Sequence, residues 1–227
     1  MPRLARIIVP GFPHHVTQRG SRNQIVFFSN KDKENYLSIF EEELSKLDVK
    51  IWAYCLMDNH VHFIVVPGDE TSLSKLFREA HKRYAAMINR REGWRGHLWQ
   101  ERFHSFVMDE RHLFSAMRYV EMNPVKANMV EDPDDYAWSS AHFHVKKVQS
   151  RLISQCHLTN EIEDWKSYLV GDKNSEYEKN AQKHLSTGRP LGSPDFIKKL
   201  ETLTKRSLSI KESGRKPIIN NDLVVVE

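Results

Sequence analysis

The feature that most narrows the fold is a pair of strand patterns separated by two turn residues. From Val49 to Met57, apolar residues occupy alternate positions (Val49, Ile51, Ala53, Cys55, Met57), so one side of an extended chain is apolar. Asp58 and Asn59 follow, and their short polar side chains favour a turn. A second strand then runs from His60 to Val66, and Pro67 and Gly68 end it. Two strands joined by two residues predict an antiparallel hairpin.

The segments around the hairpin supply the rest of a sheet and its helices. His14–Arg19 (HHVTQR) alternates in part, stops at Gly20 and reads as a strand. Residues 30–47 carry Tyr36, Phe40, Leu44 and Leu47 at helical spacing. Residues 71–89 form a stronger helix pattern, with Leu73, Leu76, Phe77, Ala80, Tyr84, Met87 and Ile88 on one stripe, broken by Gly93 and Gly96. Residues 98–107 read as a fourth strand, and Asp109 caps a helix that runs to about Met122 before Pro124. The order β-α-β-β-α-β-α is the split βαβ arrangement. It predicts an α+β, ferredoxin-like (RRM-like) antiparallel four-stranded sheet with one added helix. We place that domain at residues 1–145 and expect residues 146–227 to be a helical extension with a basic tail. Within the extension, residues 160–185 are helical but polar, residues 188–192 (GRPLG) are a break, residues 194–206 are a further helix, and residues 207–227 are a loosely ordered tail.

Composition excludes several function classes. With 40% hydrophobic and 28% charged residues over 227 positions, the chain has the balance of a folded water-soluble protein. No apolar run approaches the roughly 20 residues that cross a bilayer. The first residues lack the apolar core of a secretory signal, so a cytoplasmic protein is expected. The two cysteines, Cys55 and Cys156, are far apart and form no CxxC pair, which argues against a cysteine zinc site or a disulfide framework. A net charge of +4, with twelve histidines besides, suits a polyanionic partner.

Two constellations can carry chemistry. His60 and His62 sit two apart on a strand, so their side chains leave the same face with Cα atoms about 6.6 Å apart, close enough to share an ion. Val61, Phe63 and Val65 then point into the core. The bland alternative is two half-exposed histidines that bind nothing, and two ligands are too few for a tight site. The second constellation is on the helix after Asp109. Leu113, Met117 and Val120 make its core stripe, and His112, Ala116, Tyr119 and Asn123 run beside it. Periodicity by itself makes Tyr119 an amphipathic rim residue with a wet hydroxyl, and Asn123 an ordinary residue at a helix end.

At these residues the chain resembles the REP-associated tyrosine transposases, a single-tyrosine HUH family. MDNHVHFIVVP looks like their HUH segment and RYVEMNPVKANMV like their tyrosine helix. HHVTQRGSRNQIVFF and LWQERFHSF resemble further segments in the same order, so the similarity spans roughly residues 5–145. The resemblance implies strand transfer on single-stranded, hairpin-bearing DNA through a covalent 5′-phosphotyrosine. It makes Tyr119 the nucleophile, His60 and His62 the metal ligands and Asn123 a third ligand. Asp58 stands where many members have proline. Imidazole ligands suit Mn²⁺, and Mg²⁺ is the abundant alternative; zinc is a third. Monomer and homodimer both remain open, as does whether Tyr119 serves its own histidines or a partner's.

Arg19, Arg22, Arg78, Lys82, Arg83, Arg91, Arg95 and Arg102 flank these elements and can track a phosphate backbone. Trp94, Trp99 and Phe103 can stack on bases or pack in the core. The stretch from Arg3 to Arg22 is expected to read DNA sequence by resemblance, and residues 188–192 and 214–217 (GRKP) add basic extensions. Two rival readings follow from the same residues. One is a hydrolase that activates water at His60 and His62. The other is a non-catalytic or domesticated nucleic-acid-binding protein of the same fold. Were Tyr119 not the nucleophile, Tyr84 would be the next tyrosine to consider.

Overall fold

The computed structural model describes residues 6–171 and 175–208. Four strands, β1 (His14–Arg19), β2 (Val49–Met57), β3 (His60–Pro67) and β4 (His104–Val107), pair antiparallel in the order β2-β3-β1-β4. Helix α1 (Asn30–Leu44) follows β1, and α2 (Ser72–Glu92) follows β3. The α+β, ferredoxin-like expectation therefore holds. After β4 come α3 (Glu110–Glu121) and the short α4 (Asn123–Lys126). The C-terminal part contributes α5 (Ala141–Lys146), α6 (His157–Glu161), α7 (Trp165–Gly171), α8 (Ser175–Thr187) and α9 (Pro194–Thr204). The Asp109 side chain caps α3 by accepting from the His112 N–H at 3.1 Å. Residues 209–227, with the GRKP motif, and residues 1–5, with Arg3, lie outside the described residues.

Local chemistry explains where elements stop. Gly20 closes β1: its N–H donates to the Asn59 carbonyl at 2.8 Å, and an added Cβ would stand 2.3 Å from the Gln24 carbonyl oxygen. Gly93 ends α2 in a left-handed conformation, φ +67°. The fourth strand is shorter than its sequence suggests, starting at His104 and not at Leu98. Glu101 adopts φ +52°, which breaks extended geometry, and the preceding stretch meets the sheet through an isolated bridge between Gly20 and Trp99 and through the Gln18 side chain, which donates to the Gln100 carbonyl at 3.0 Å.

Both sheet faces are buried. Val61, Phe63 and Val65 of β3 pack with Val16, Tyr36, Phe40, Phe77 and Tyr84 beneath α1 and α2. Ile64 of β3 faces the opposite way, into a second core with Ala116, Met117 and Val120 of α3. The apolar side expected for β2 does not stay on one face. A register irregularity between Ile51 and Ala53 sends Val49 and Ile51 into the first core, and Ala53, Cys55 and Met57 into the second. Residues beyond 145 belong to that second core as well, through Leu158, Trp165, Leu169, Tyr177, Ala181 and Leu191.

One buried carboxylate ties these layers together. Glu121, at the end of α3, accepts from the Ser140 hydroxyl, from Trp165 Nε1 at 2.6 Å and pairs with His144 Nδ1 at 2.6 Å. Glu121→Ala would leave three donors without their acceptor. It is expected to destabilise the protein by about 3 kcal/mol in urea unfolding, while a surface Glu→Ala changes little.

Three buried histidines make the fold acid-sensitive. Burial lowers His14 to about 4 and His15 and His81 to about 3. Such groups are neutral when folded and take up protons on unfolding near their usual 6.5. Their contribution is therefore present above about pH 6.5 and is lost as pH falls toward 4. Each is expected to remove about 2 kcal/mol between pH 6.5 and 4.5. Near pH 5 the slope of unfolding free energy against pH should correspond to at least about three protons; a flat profile would contradict this.

Candidate functional site

The register of the sheet assembles the site. On β3, His60, His62 and Ile64 share one face; β1 pairs antiparallel beside it, with Arg19 opposite His60, Thr17 opposite His62 and His15 opposite Ile64. The histidine face is therefore not open, as a simple two-layer arrangement would leave it. Helix α3 lies over β2 and β3, and α8 lies over β1 and β4.

Tyr119 descends from α3 into this face. Its ring stands edge-on to His62, centroids 5.4 Å apart, and His62 is edge-on to His60 at 5.0 Å. The same chain thus supplies both the tyrosine and the histidines that meet it. Asn123 follows one turn on, where its Nδ2 donates to the Tyr119 carbonyl at 2.7 Å. Lys126 lies 5.1 Å from the Tyr119 ring centroid and is paired with Glu178 of α8 at 2.8 Å.

Electrostatics favour neutral imidazoles. Burial, helped by the Arg19 charge, lowers His60 to about 4. His62 lies well below its ordinary value, chiefly through burial and then through His15, His60 and Arg19. Both rings therefore carry a lone pair at neutral pH, the form a metal requires. Burial, with the Glu178 carboxylate, raises the Tyr119 phenol above its usual value, and Arg19 opposes that rise. Asp58, exposed in the hairpin turn, pairs with Lys33 at 2.8 Å, so its carboxylate has a countercharge outside the histidine face. Among the described residues, no group of three or more His, Cys, Asp or Glu side chains is placed to hold a metal ion.

The remaining candidates separate by location. Arg19 stands beside the histidines, opposite His60 in the sheet, and Arg22 is exposed in a 3-10 turn at φ +55°. Arg78 and Lys82 are on α2, on the other side of the sheet, where with Arg102, Trp99 and Phe103 they line a cavity of about 640 Å³. Arg83 is held by Glu42 at 2.5 Å and Glu43 at 2.6 Å, and Arg91 by the buried Asp32, so both already have carboxylate partners within the protein. Trp99 and Phe103 are core residues, whereas Trp94 is exposed. Tyr84 is fully buried on the opposite face, its hydroxyl donating to the Val26 carbonyl at 2.6 Å. That removes it as an alternative nucleophile.

Two residues at the site had not been singled out from sequence, His15 and Tyr177. His15 Nε2 lies 2.9 Å from His62 Nδ1, and His15 Nδ1 lies 3.2 Å from the Tyr177 hydroxyl. His15 was legible in principle, being two and four residues from Thr17 and Arg19 on a strand that alternates. Tyr177 was not, because it sits in a polar stretch.

Comparison with known proteins bears on this arrangement. Residues 12–123 match the model of a family described as transposase IS200 like. Over 122 residues the chain is 24% identical to a protein of Haemophilus influenzae named as a REP-associated tyrosine transposase, covering 49% of this chain and 69% of that protein. A solved structure of a REP-associated tyrosine transposase bound to a REP hairpin superposes with a TM-score of 0.56 at 18% identity, covering 69% of this chain and 93% of that one. At that identity the superposition speaks for the fold. No helix among the described residues is long and apolar enough to cross a membrane.

Proposed function

We propose that this chain, whose residues 12–123 match the model of a family described as transposase IS200 like, cuts and rejoins single-stranded DNA with Tyr119 as nucleophile. The observation that carries the reading is the edge-on contact of the Tyr119 ring with His62, at 5.4 Å, inside a face that also holds His60. A tyrosine placed for structure alone would not need two neutral imidazoles beside it.

The donor chemistry fits a divalent ion, Mg²⁺ or Mn²⁺, held by His60 and His62. The Asn123 amide nitrogen is committed to the Tyr119 carbonyl, which leaves Oδ1 as that residue's ligand atom. When bound, such an ion withdraws charge from a phosphoryl oxygen. The chain's own groups do the rest. The Tyr119 oxygen attacks phosphorus, the phosphorus–O3′ bond breaks, and the 3′ oxygen leaves to become a hydroxyl. The phenolic proton passes to solvent. The product is a 5′-phosphotyrosine that conserves the phosphodiester, so a DNA 3′-hydroxyl can later displace Tyr119 by the reverse steps. The Arg19 charge favours phenolate, and we assign Arg19 and Arg22 to the phosphates flanking the cut. Hairpin-bearing single strands are the proposed substrate class, since the solved relative was bound to a hairpin.

The test uses the full chain, Mn²⁺ or Mg²⁺ and hairpin-bearing single-stranded DNA labelled 3′ of the cut. A protein–DNA band resistant to denaturation should appear and should be lost with chelator. Cleavage without any covalent product would favour the water-activating hydrolase.

A further inference from the structure

Building on the reading of His62 as a metal ligand, we propose that His15 and Tyr177 are positioning residues that hold the His62 ring with Nε2 bare and facing the phosphate. The three side chains form a continuous buried chain. His62 is 5% exposed, His15 is fully buried and Tyr177 is 3% exposed. His62 Nδ1 and His15 Nε2 are 2.9 Å apart, and His15 Nδ1 is 3.2 Å from the Tyr177 oxygen. The Tyr177 and His15 rings are also stacked, centroids 6.4 Å apart at 18°. These contacts fix the rotation of both rings, not merely their burial.

A neutral imidazole has one N–H, so each ring's proton dictates its neighbour's. If the Tyr177 oxygen accepts from His15 Nδ1–H, then His15 Nε2 is an acceptor. His62 must then donate from Nδ1, which leaves its Nε2 as a lone pair. If Tyr177 donated instead, the order would reverse, and the His62 proton would sit on Nε2 and block ligation. The direction of one hydroxyl hydrogen bond thus selects the ligand form. Such partners of metal-bound histidines typically govern affinity by 10–100-fold. Tyr177 is on α8, beyond the 12–123 stretch that matches the family. The C-terminal extension therefore belongs to the proposed metal site and is not merely an appendage to it.

The experiment measures Mn²⁺ affinity of the full chain without DNA, by electron paramagnetic resonance titration. It also reads the histidine tautomers of the metal-free protein by long-range proton–nitrogen correlation. Tyr177→Phe removes one oxygen and should weaken Mn²⁺ binding about 10-fold, and His15→Ala by roughly 10–100-fold. His15→Gln, whose amide oxygen can still accept from His62, should recover part of the loss. Wild-type His62 should carry its proton on Nδ1, and Tyr177→Phe should move population to Nε2. Thermal unfolding identifies which variants are folded, and Tyr177→Phe is the variant least able to disturb the core. Loss of Mn²⁺ in His62→Ala with unchanged affinity in folded Tyr177→Phe and His15→Ala would overturn the relay alone. Unchanged affinity in His62→Ala would sink the metal-site reading and the relay with it. A wild-type His62 protonated on Nε2 would also overturn the relay.

Discussion

Tyr119→Phe is expected to abolish the covalent protein–DNA product and to reduce strand cleavage by about 10³-fold or more, because it removes the attacking oxygen while keeping the ring. The structure makes this a clean substitution. The Tyr119 ring, which packs against His62, His15 and Tyr177, is retained in phenylalanine. Folding and hairpin binding should therefore stay close to wild type, the latter within about threefold. The rival hydrolase predicts the opposite, near-normal cutting in the phenylalanine variant. A non-catalytic binding protein predicts no cutting in either.

The second large effect is expected from the histidines. His60→Ala with His62→Ala should lower cleavage by about 10²–10⁴-fold, since a Lewis acid on the phosphoryl oxygen supplies several kcal/mol and each 1.4 kcal/mol is tenfold. Excess Mn²⁺ should partly restore either single variant, which keeps one imidazole, and should not restore the double variant. The two rings are not equivalent. His62 is buried and hydrogen-bonded to His15, whereas His60 is partly exposed and pairs with Asn59 at 2.6 Å. Loss of His62 should therefore be the harder to rescue. Equal activity of the double variant and wild type would remove the metal from the account.

The sheet was legible because its signals are local. Alternation and turn residues fixed the bounds of β1 and β2 and the start of β3, and the two-residue hairpin forced His60 and His62 onto one face. Where the reading went astray, a distant partner decided. Ile51 and Ala53 fall on one side by sequence alternation, but a register irregularity splits them between two cores, and nothing in their identities announces it. The extra length given to β4 ignored the left-handed backbone at Glu101. The polar look of residues 160–185 hid the few side chains, Trp165, Leu169, Tyr177 and Ala181, that close the second core. The basic residues show the same limit. Arg83 and Arg91 read like Arg19 in sequence, yet carboxylates on α1 occupy them. Charge signs are visible in a sequence, but ion pairing between helices is not.

The most direct measurement of the central claim is to trap the covalent product, digest both partners and locate the nucleotide on the protein by mass spectrometry. The account predicts a phosphodiester on Tyr119 alone, joined to the 5′ end of the downstream fragment. A nucleotide on Tyr177 or any other side chain, or one joined through a 3′-phosphate, would contradict it.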